Sequence, residues 1–226
     1  YECLNNSISG NNITANSYDG ILILASSNNE VYANKIANNR YGIETLSSYN
    51  IISENNIING NNITANSSSG IYLDSSSKNN LLKNTIAKNS EGIVLQSSSF
   101  NTISENNITA NDSYGVWLDA QARNNTINGN NVTANTDIGI YIRYSSNNKV
   151  YGNNVRNNYN GIWLSSSSNT EISENNVRNN YNGIVLVLTS LNSRLYHNNF
   201  INNTQQASSA SANSWDDGLE GNYWSD

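Results

Sequence analysis

The sequence predicts an all-β chain wound as a single-stranded parallel β-helix, a solenoid of about nine coils of roughly 22–23 residues with three short parallel sheets. Three observations predict it. A glycine followed by a β-branched residue returns at Gly20, Gly42, Gly70, Gly92, Gly115, Gly139, Gly161 and Gly183, with gaps of 22, 28, 22, 23, 24, 22 and 22. The apolar runs between them are short, alternate with period two, and are separated by Asn, Gly and Ser, so they read as strands rather than as a helical stripe. Pro is absent from all 226 residues, as suits a chain whose every segment donates to a backbone ladder.

Each coil supplies its strands in order. The first centres on Ile8, Val31, Leu81, Ile103, Ile127, Val150, Ile172 and Leu195, and the second on Ile13, Ile36, Ile63, Ile86, Ile108, Val132, Val155, Val177 and Phe200. The third is the G-I-x-L run. Runs this short cannot form hairpins and still repeat every 22 residues, so each pairs with its equivalent one coil later, in parallel and in register. The gap of 28 between Gly42 and Gly70 implies about six extra residues, which we assign to a bulge near Ile57–Asn62. The expected division is a solenoid over 1–205 and a capping tail over 206–226, in which Trp215, Tyr223 and Trp224 have the bulk to cover the last coil.

The corners are predicted from asparagine. Asn11, Asn34, Asn84, Asn106, Asn130, Asn153, Asn175 and Asn198 hold one register, and Asn16, Asn39, Asn66, Asn89, Asn111, Asn135, Asn158, Asn180 and Asn203 hold another. Stacked at about 4.8 Å per coil, each amide donates to the next coil and accepts from the previous one. Ser26, Ser76, Ser98, Ser146 and Ser166 are expected to line the third corner. The recurring glycine supplies either an unusual backbone angle or a close approach.

Composition narrows the partners. Eleven Lys+Arg against seventeen Asp+Glu give a net charge of −6, which argues against nucleic acid and anionic lipid. No run approaches the roughly 18 apolar residues of a membrane span. Cys3 is the one cysteine, so no internal disulfide framework is expected. With no Met and no leader-like segment before Tyr1, the sequence reads as a mature chain or an excerpt from a longer one.

The consensus N-x-I-x-x-N-x-I-x-x-N-x-x-G-I-x-L, together with the ending "WDDG…GNYWSD" from Trp215 to Asp226, resembles the NosD-type parallel β-helix repeat family. That family includes archaeal surface proteins and carbohydrate-binding or sugar-hydrolase repeats. The resemblance implies a right-handed solenoid on or outside the cell surface, with a structural or adhesive role or a polysaccharide-acting one. It also brings a copper role, but copper sites are built from His, Cys and Met, and Cys3 and His197 lie some eight coils, or roughly 40 Å, apart. No cofactor is expected, apart from Asp216, Asp217 and Asp226 as calcium candidates on residue type alone.

The functional candidates are letters that vary between coils. The outward position of the third strand reads Leu22, Glu44, Tyr72, Val94, Trp117, Tyr141, Trp163 and Val185. Tyr72, Trp117, Tyr141 and Trp163, with Arg143 nearby, form an aromatic row suited to the apolar faces of sugar rings. In-register aromatics that merely stabilise the sheet are the competing reading. Asp74 and Asp119, two coils and so about 9.6 Å apart, are the catalytic candidates, at the upper end for an inverting glycosidase pair. A regular Thr array of the ice-binding kind fails, because Ala37, Ala87, Arg156 and Arg178 interrupt it. Nine N-x-[ST] sequons occur, of which Asn12, Asn62, Asn107 and Asn131 are expected to face outward as glycosylation candidates. The predicted partners are a polysaccharide or surface glycan and, end to end, the chain itself or neighbouring domains.

Overall fold

One inward apolar residue flanked by two outward polar ones makes a three-residue strand. In the computed structural model, which describes residues 3–46 and 57–225, these strands stack into a right-handed β-helix of nine coils without a helix among the described residues. The first coil is Ser7–Ser9, Asn12–Thr14 and Ile21–Leu24, and the ninth is Arg194–Tyr196, Asn199–Ile201 and Gln205–Ser209. Every strand pairs in parallel with its equivalent, as in Leu81 with Ile103 and Ile103 with Ile127. We call the three sheets first, second and third in chain order. Their inward side chains form one core, and the central residues of the first two sheets are fully buried from Val31 to Phe200. Each such aliphatic side chain contributes about 1.5–3 kcal/mol.

The corners follow one rule. A residue in the left-handed region precedes each Asn of the two ladders from Asn11 to Asn203, as with Glu105 (φ 54°) before Asn106 and Ala110 (φ 54°) before Asn111. The Asn then turns inward and closes the corner to the next coil. Asn84 donates its backbone N–H and its side-chain amide to Asn106 Oδ1 (2.9 and 3.0 Å), and Asn106 does the same to Asn130 (2.9 and 3.0 Å). The first ladder runs from Asn11 to Asn198, takes in Asn61, which the sequence reading passed over, and ends on Asn222. The second runs from Asn16 to Asn203 as expected.

Three readings need correction. Ile57–Asn59 and Asn62–Thr64 are ordinary strands and Asn61 a ladder residue, so no bulge lies at Ile57–Asn62. Ten residues separate Leu46 from Ile57, against five between Leu24 and Glu30, so the extra length falls between those strands, within 47–56 and outside the described residues. At the third corner the inward hydroxyls of coils six and seven are Ser145 and Ser167, whereas Ser146 and Ser166 are half-buried, and Ser166 takes the left-handed turn position (φ 50°). A further amide ladder, Asn79, Asn101, Asn125 and Asn148, also closes the third corner and was missed, although each Asn precedes the first strand's inward residue by two positions.

The recurrent glycines serve close approach rather than backbone angle. A Cβ on Gly92 would lie 2.3 Å from the carbonyl oxygen of Gly115 and 2.6 Å from Ile108 Cγ2. At the C-terminal end the tail repeats the pattern in reduced form. Tyr223–Trp224 pairs with Asn199–Ile201, Trp224 stacks on Phe200 at 4.6 Å, and Trp215 packs against the core and lies 5.7 Å from Trp224. The third sheet runs past residue 205, because Gln205–Ser209 pairs with Asn182–Val187.

Candidate functional site

The variable outward residues of the third sheet form two groups along the rod. Parallel register places Trp117, Tyr141 and Trp163 on consecutive coils, with the buried Val94 between Tyr72 and Trp117. Trp117 and Tyr141 stack with ring centroids 6.3 Å apart at 11°. Tyr114, one residue before Gly115, comes in from the corner and meets both rings at 5.3 Å. Trp163 continues the row without a ring contact among the described residues. All four row residues are half-buried rather than fully exposed, because neighbouring side chains cover part of each face. The Trp117 indole N–H is buried and finds no acceptor.

Arg143 is fixed at the edge of this row. Its Nε donates to Asp119 Oδ1 at 3.0 Å, a second nitrogen binds Oδ2, and the guanidinium lies 5.2 Å from the Trp117 ring and 5.7 Å from that of Tyr144. The Asp119 hydrogen bond holds the Arg143 pKa above its usual value. This bidentate pair occupies the Asp119 carboxylate. Gln96 stands in register between Asp74 and Asp119 and accepts the Tyr72 hydroxyl at 2.8 Å. Of the two carboxylates proposed from sequence, only Asp74 is without a cationic partner among the described residues.

The second group lies nearer the N-terminus and was not foreseen. Glu44 sits between Leu22 and Tyr72 in register, and Tyr72 stacks on Tyr41 at 5.1 Å and 26°. Burial and a hydrogen bond with Asp19 push the Glu44 carboxyl up to about 7, with Asp74 adding to the rise and Arg40 opposing it. Burial likewise raises the Tyr72 phenol. The signals were present in sequence, since Tyr41 and Tyr114 each precede a repeat glycine.

Glu44 makes stability depend on pH. Its folded pKa lies above the unfolded carboxylate value, so between roughly pH 4.5 and 7 the folded chain holds the extra proton. The favourable state is complete below that window and is lost as pH rises through about 7. Melting curves are therefore expected to show Glu44→Gln more stable than the parent at pH 8, with the difference closing by pH 5. An equal difference at both values would remove Glu44 as the source.

The remaining candidates fall elsewhere. Asn12, Asn62 and Asn107 are exposed and Asn131 half-buried at outward positions of the second sheet, where Asn131 donates to Asn107 at 2.8 Å. Asp216 Oδ1 accepts from the backbone of Gly218, and Asp217 Oδ1 from Leu219 and Glu220, so both carboxylates tie their own turn. Asp226 lies outside the described residues. Among the described residues no group of three His, Cys, Asp or Glu side chains stands close enough to hold a metal ion. No helix among them is long and apolar enough to cross a membrane.

Comparison with known proteins now adds to the geometry. Residues 1–132 match the family described as right handed beta helix region, and residues 112–226 match periplasmic copper-binding protein (NosD). No curated protein matches. The fold is similar to the Azotobacter vinelandii mannuronan C-5 epimerase AlgE6 A-module, with 15% identity, 89% of this chain and 66% of that chain covered, and a TM-score of 0.66. It is similar to the bacteriophage CBA120 tailspike protein 2 enzymatically active domain (18% identity, 85% and 35% covered, TM-score 0.70). It is also similar to pectate lyase Pel9A (16% identity, 96% and 72% covered, TM-score 0.65). Likeness at these identities establishes the fold alone, and the chain spans about two thirds of the epimerase module and about a third of the tailspike domain.

Copper does not fit the donors present. Cys3 is exposed at the first coil, while His197, in the ninth, faces Asp217 at 3.5 Å and Glu220 at 3.7 Å, and there is no Met. The repeat, the three stacked sheets and the two matches together place this chain in the NosD-type right-handed parallel β-helix repeat family.

Proposed function

We propose that this protein is a secreted or cell-surface β-helix with a structural or adhesive role, binding polysaccharide along the aromatic row of the third sheet. One observation carries the reading: Trp117, Tyr141 and Trp163 stand in register on consecutive coils, with Tyr114 and Arg143 packed against the first two rings or beside them. Aromatic faces take the C–H surface of sugars, and a row spaced by one coil suits an extended chain better than a single residue. The similar structures named for mannuronan epimerase and pectate lyase support a glycan as the ligand class. The test is a glycan array with Trp117→Ala/Trp163→Ala, read beside thermal melting. Loss of glycan binding with the melting temperature little changed is expected, whereas loss of stability alone would make the row a packing device.

A second reading, a polysaccharide lyase or glycoside hydrolase, draws on the Glu44 group. A carboxyl titrating near neutrality beside Asp19, Asp74, Arg40 and two tyrosines has the makings of a proton-transfer site. A reducing-sugar and unsaturated-product assay on the same glycans decides between the two. Turnover by the parent that disappears in Glu44→Gln would favour the enzyme.

A further inference from the structure

On the first and third sheets the outward cations stand beside a carboxylate, and on the second they do not. On the first sheet Lys149 meets Glu171 at 3.3 Å, with Arg194 next in register and Tyr196 bonded to Glu171. On the third sheet Arg143 grips Asp119. On the second sheet Arg156 and Arg178 stand opposite each other on adjacent coils, like charge against like. Neither guanidinium has a hydrogen bond, ion pair or ring contact among the described residues, and the Nε of each is shielded from water without a partner. A chain with more carboxylates than cations has left two arginines together and unneutralised, an arrangement that destabilises a sheet unless something else supplies the anion.

The surroundings say what kind of anion. From Asn12 to Ile201 the outward positions of the second sheet hold Asn, Thr, Ala, Lys, Arg and Ile but no Asp or Glu. Asn131, Asn154 and Asn176 lie beside the arginine row, and Asn154 donates to Asn131 at 2.8 Å. Tyr159 and Tyr181, each three residues after an arginine, are half-exposed and stack at 4.9 Å and 5° along the adjoining corner. Planar forks for acid groups, amides for hydroxyls and a ring platform recur at the coil spacing, which is the provision an acidic sugar chain requires.

We propose that the second sheet carries a binding site for anionic polysaccharide, centred on the Arg156–Arg178 pair and bordered by Tyr159 and Tyr181. The site lies on a different sheet from the Trp117 row and does not depend on it. The near-identical segments Asn153–Leu164 and Asn175–Leu186 duplicate its parts one coil apart, so that one bound chain meets the same set twice. Bound carboxylate or sulfate groups neutralise the pair and turn its repulsion into affinity.

Affinity electrophoresis through gels containing polygalacturonate, dextran sulfate or unsubstituted dextran tests this. The parent is expected to be retarded by one or both polyanions and not by dextran; the first polymer reports carboxylate and the second sulfate recognition. Arg156→Ser/Arg178→Ser is expected to weaken retardation at least about tenfold, and the single variants Arg156→Gln and Arg178→Gln are expected to fall between. The charge-matched control Lys88→Ser/Arg123→Ser is expected to keep it, with circular dichroism and melting confirming that each variant is folded. The proposal is overturned if the parent ignores both polyanions or if the control loses as much as the arginine variant.

Discussion

Replacing Gly92 by alanine is expected to destabilise the rod by about 3 kcal/mol, at the upper end for a single added methyl group in a close-packed interior. The methyl would meet the Gly115 carbonyl oxygen at 2.3 Å and Ile108 Cγ2 at 2.6 Å. A flexible side chain could turn away, but the carbonyl cannot, because Ile93 N–H donates to it at 2.9 Å and the two coils are joined there. Relief therefore means separating coils four and five, which also strains the Asn89–Asn111 bond beside them. Gly129→Ala is the control: it has φ +64° but meets nothing nearer than 3.7 Å, so it is expected to cost only about 1–2 kcal/mol from left-handed strain. Urea unfolding of the two variants checks the order; equal losses would mean that the repeat glycine is chosen for its dihedral angles after all.

The difference between those glycines shows what the sequence disclosed and what it withheld. Period and polarity were enough to place the inward residues, because a strand's side chains alternate faces and the core is apolar apart from isolated positions such as the buried Thr45. The second Asn ladder was readable in full for the same reason. The insertion was misplaced because "IINGNN" has the same letters as the turns around it, and only pairing shows that Ile58 and Asn61 keep the rhythm. Ser145 and Ser146 are likewise chemically interchangeable in sequence; which one turns inward depends on which residue takes the left-handed angle, here Tyr144 (φ 49°).

The candidate sites were legible only as rows. Register from the repeat put Trp117 beside Tyr141, and two-residue offsets put Asp119 beside Arg143. What it could not give is which charges would find partners. Arg143 looked like a ligand-binding cation and proved to be held by Asp119, while Arg156 and Arg178 looked like interruptions in a threonine array and proved to be unpaired. Glu44 and Asp19 lie on different coils, and their shared hydrogen bond depends on the corner bringing Asp19 across. Pairing between neighbouring coils is thus the level at which this protein departs from its repeat, and the departures cluster on outward faces where packing imposes no single answer.

Asn106→Ala carries the largest expected loss, about 3–5 kcal/mol, although it removes only one small polar side chain. That side chain accepts from the Asn84 backbone N–H and amide (2.9 and 3.0 Å) and donates to Leu81 O and Asn130 Oδ1 (2.9 and 3.0 Å). It is 1% exposed, so water cannot take over the abandoned groups, and the Asn84 backbone N–H is left with no acceptor. The same change at Asn11, exposed on the first coil, is expected to cost only about 1 kcal/mol because solvent replaces what is lost. Hydrogen exchange adds spatial detail. Each coil touches only its neighbours, so the loss at Asn106 should appear as faster exchange at the corners of coils four to six and leave coils eight and nine protected. Asn106→Asp, which keeps shape but replaces a donor by a carboxylate facing Leu81 O and Asn130 Oδ1, should be worse than alanine at pH 7 and recover as pH falls toward 4, since burial raises the folded carboxyl pKa. A central alanine variant no less stable than the terminal one would mean that the amide ladder follows the coils rather than joining them.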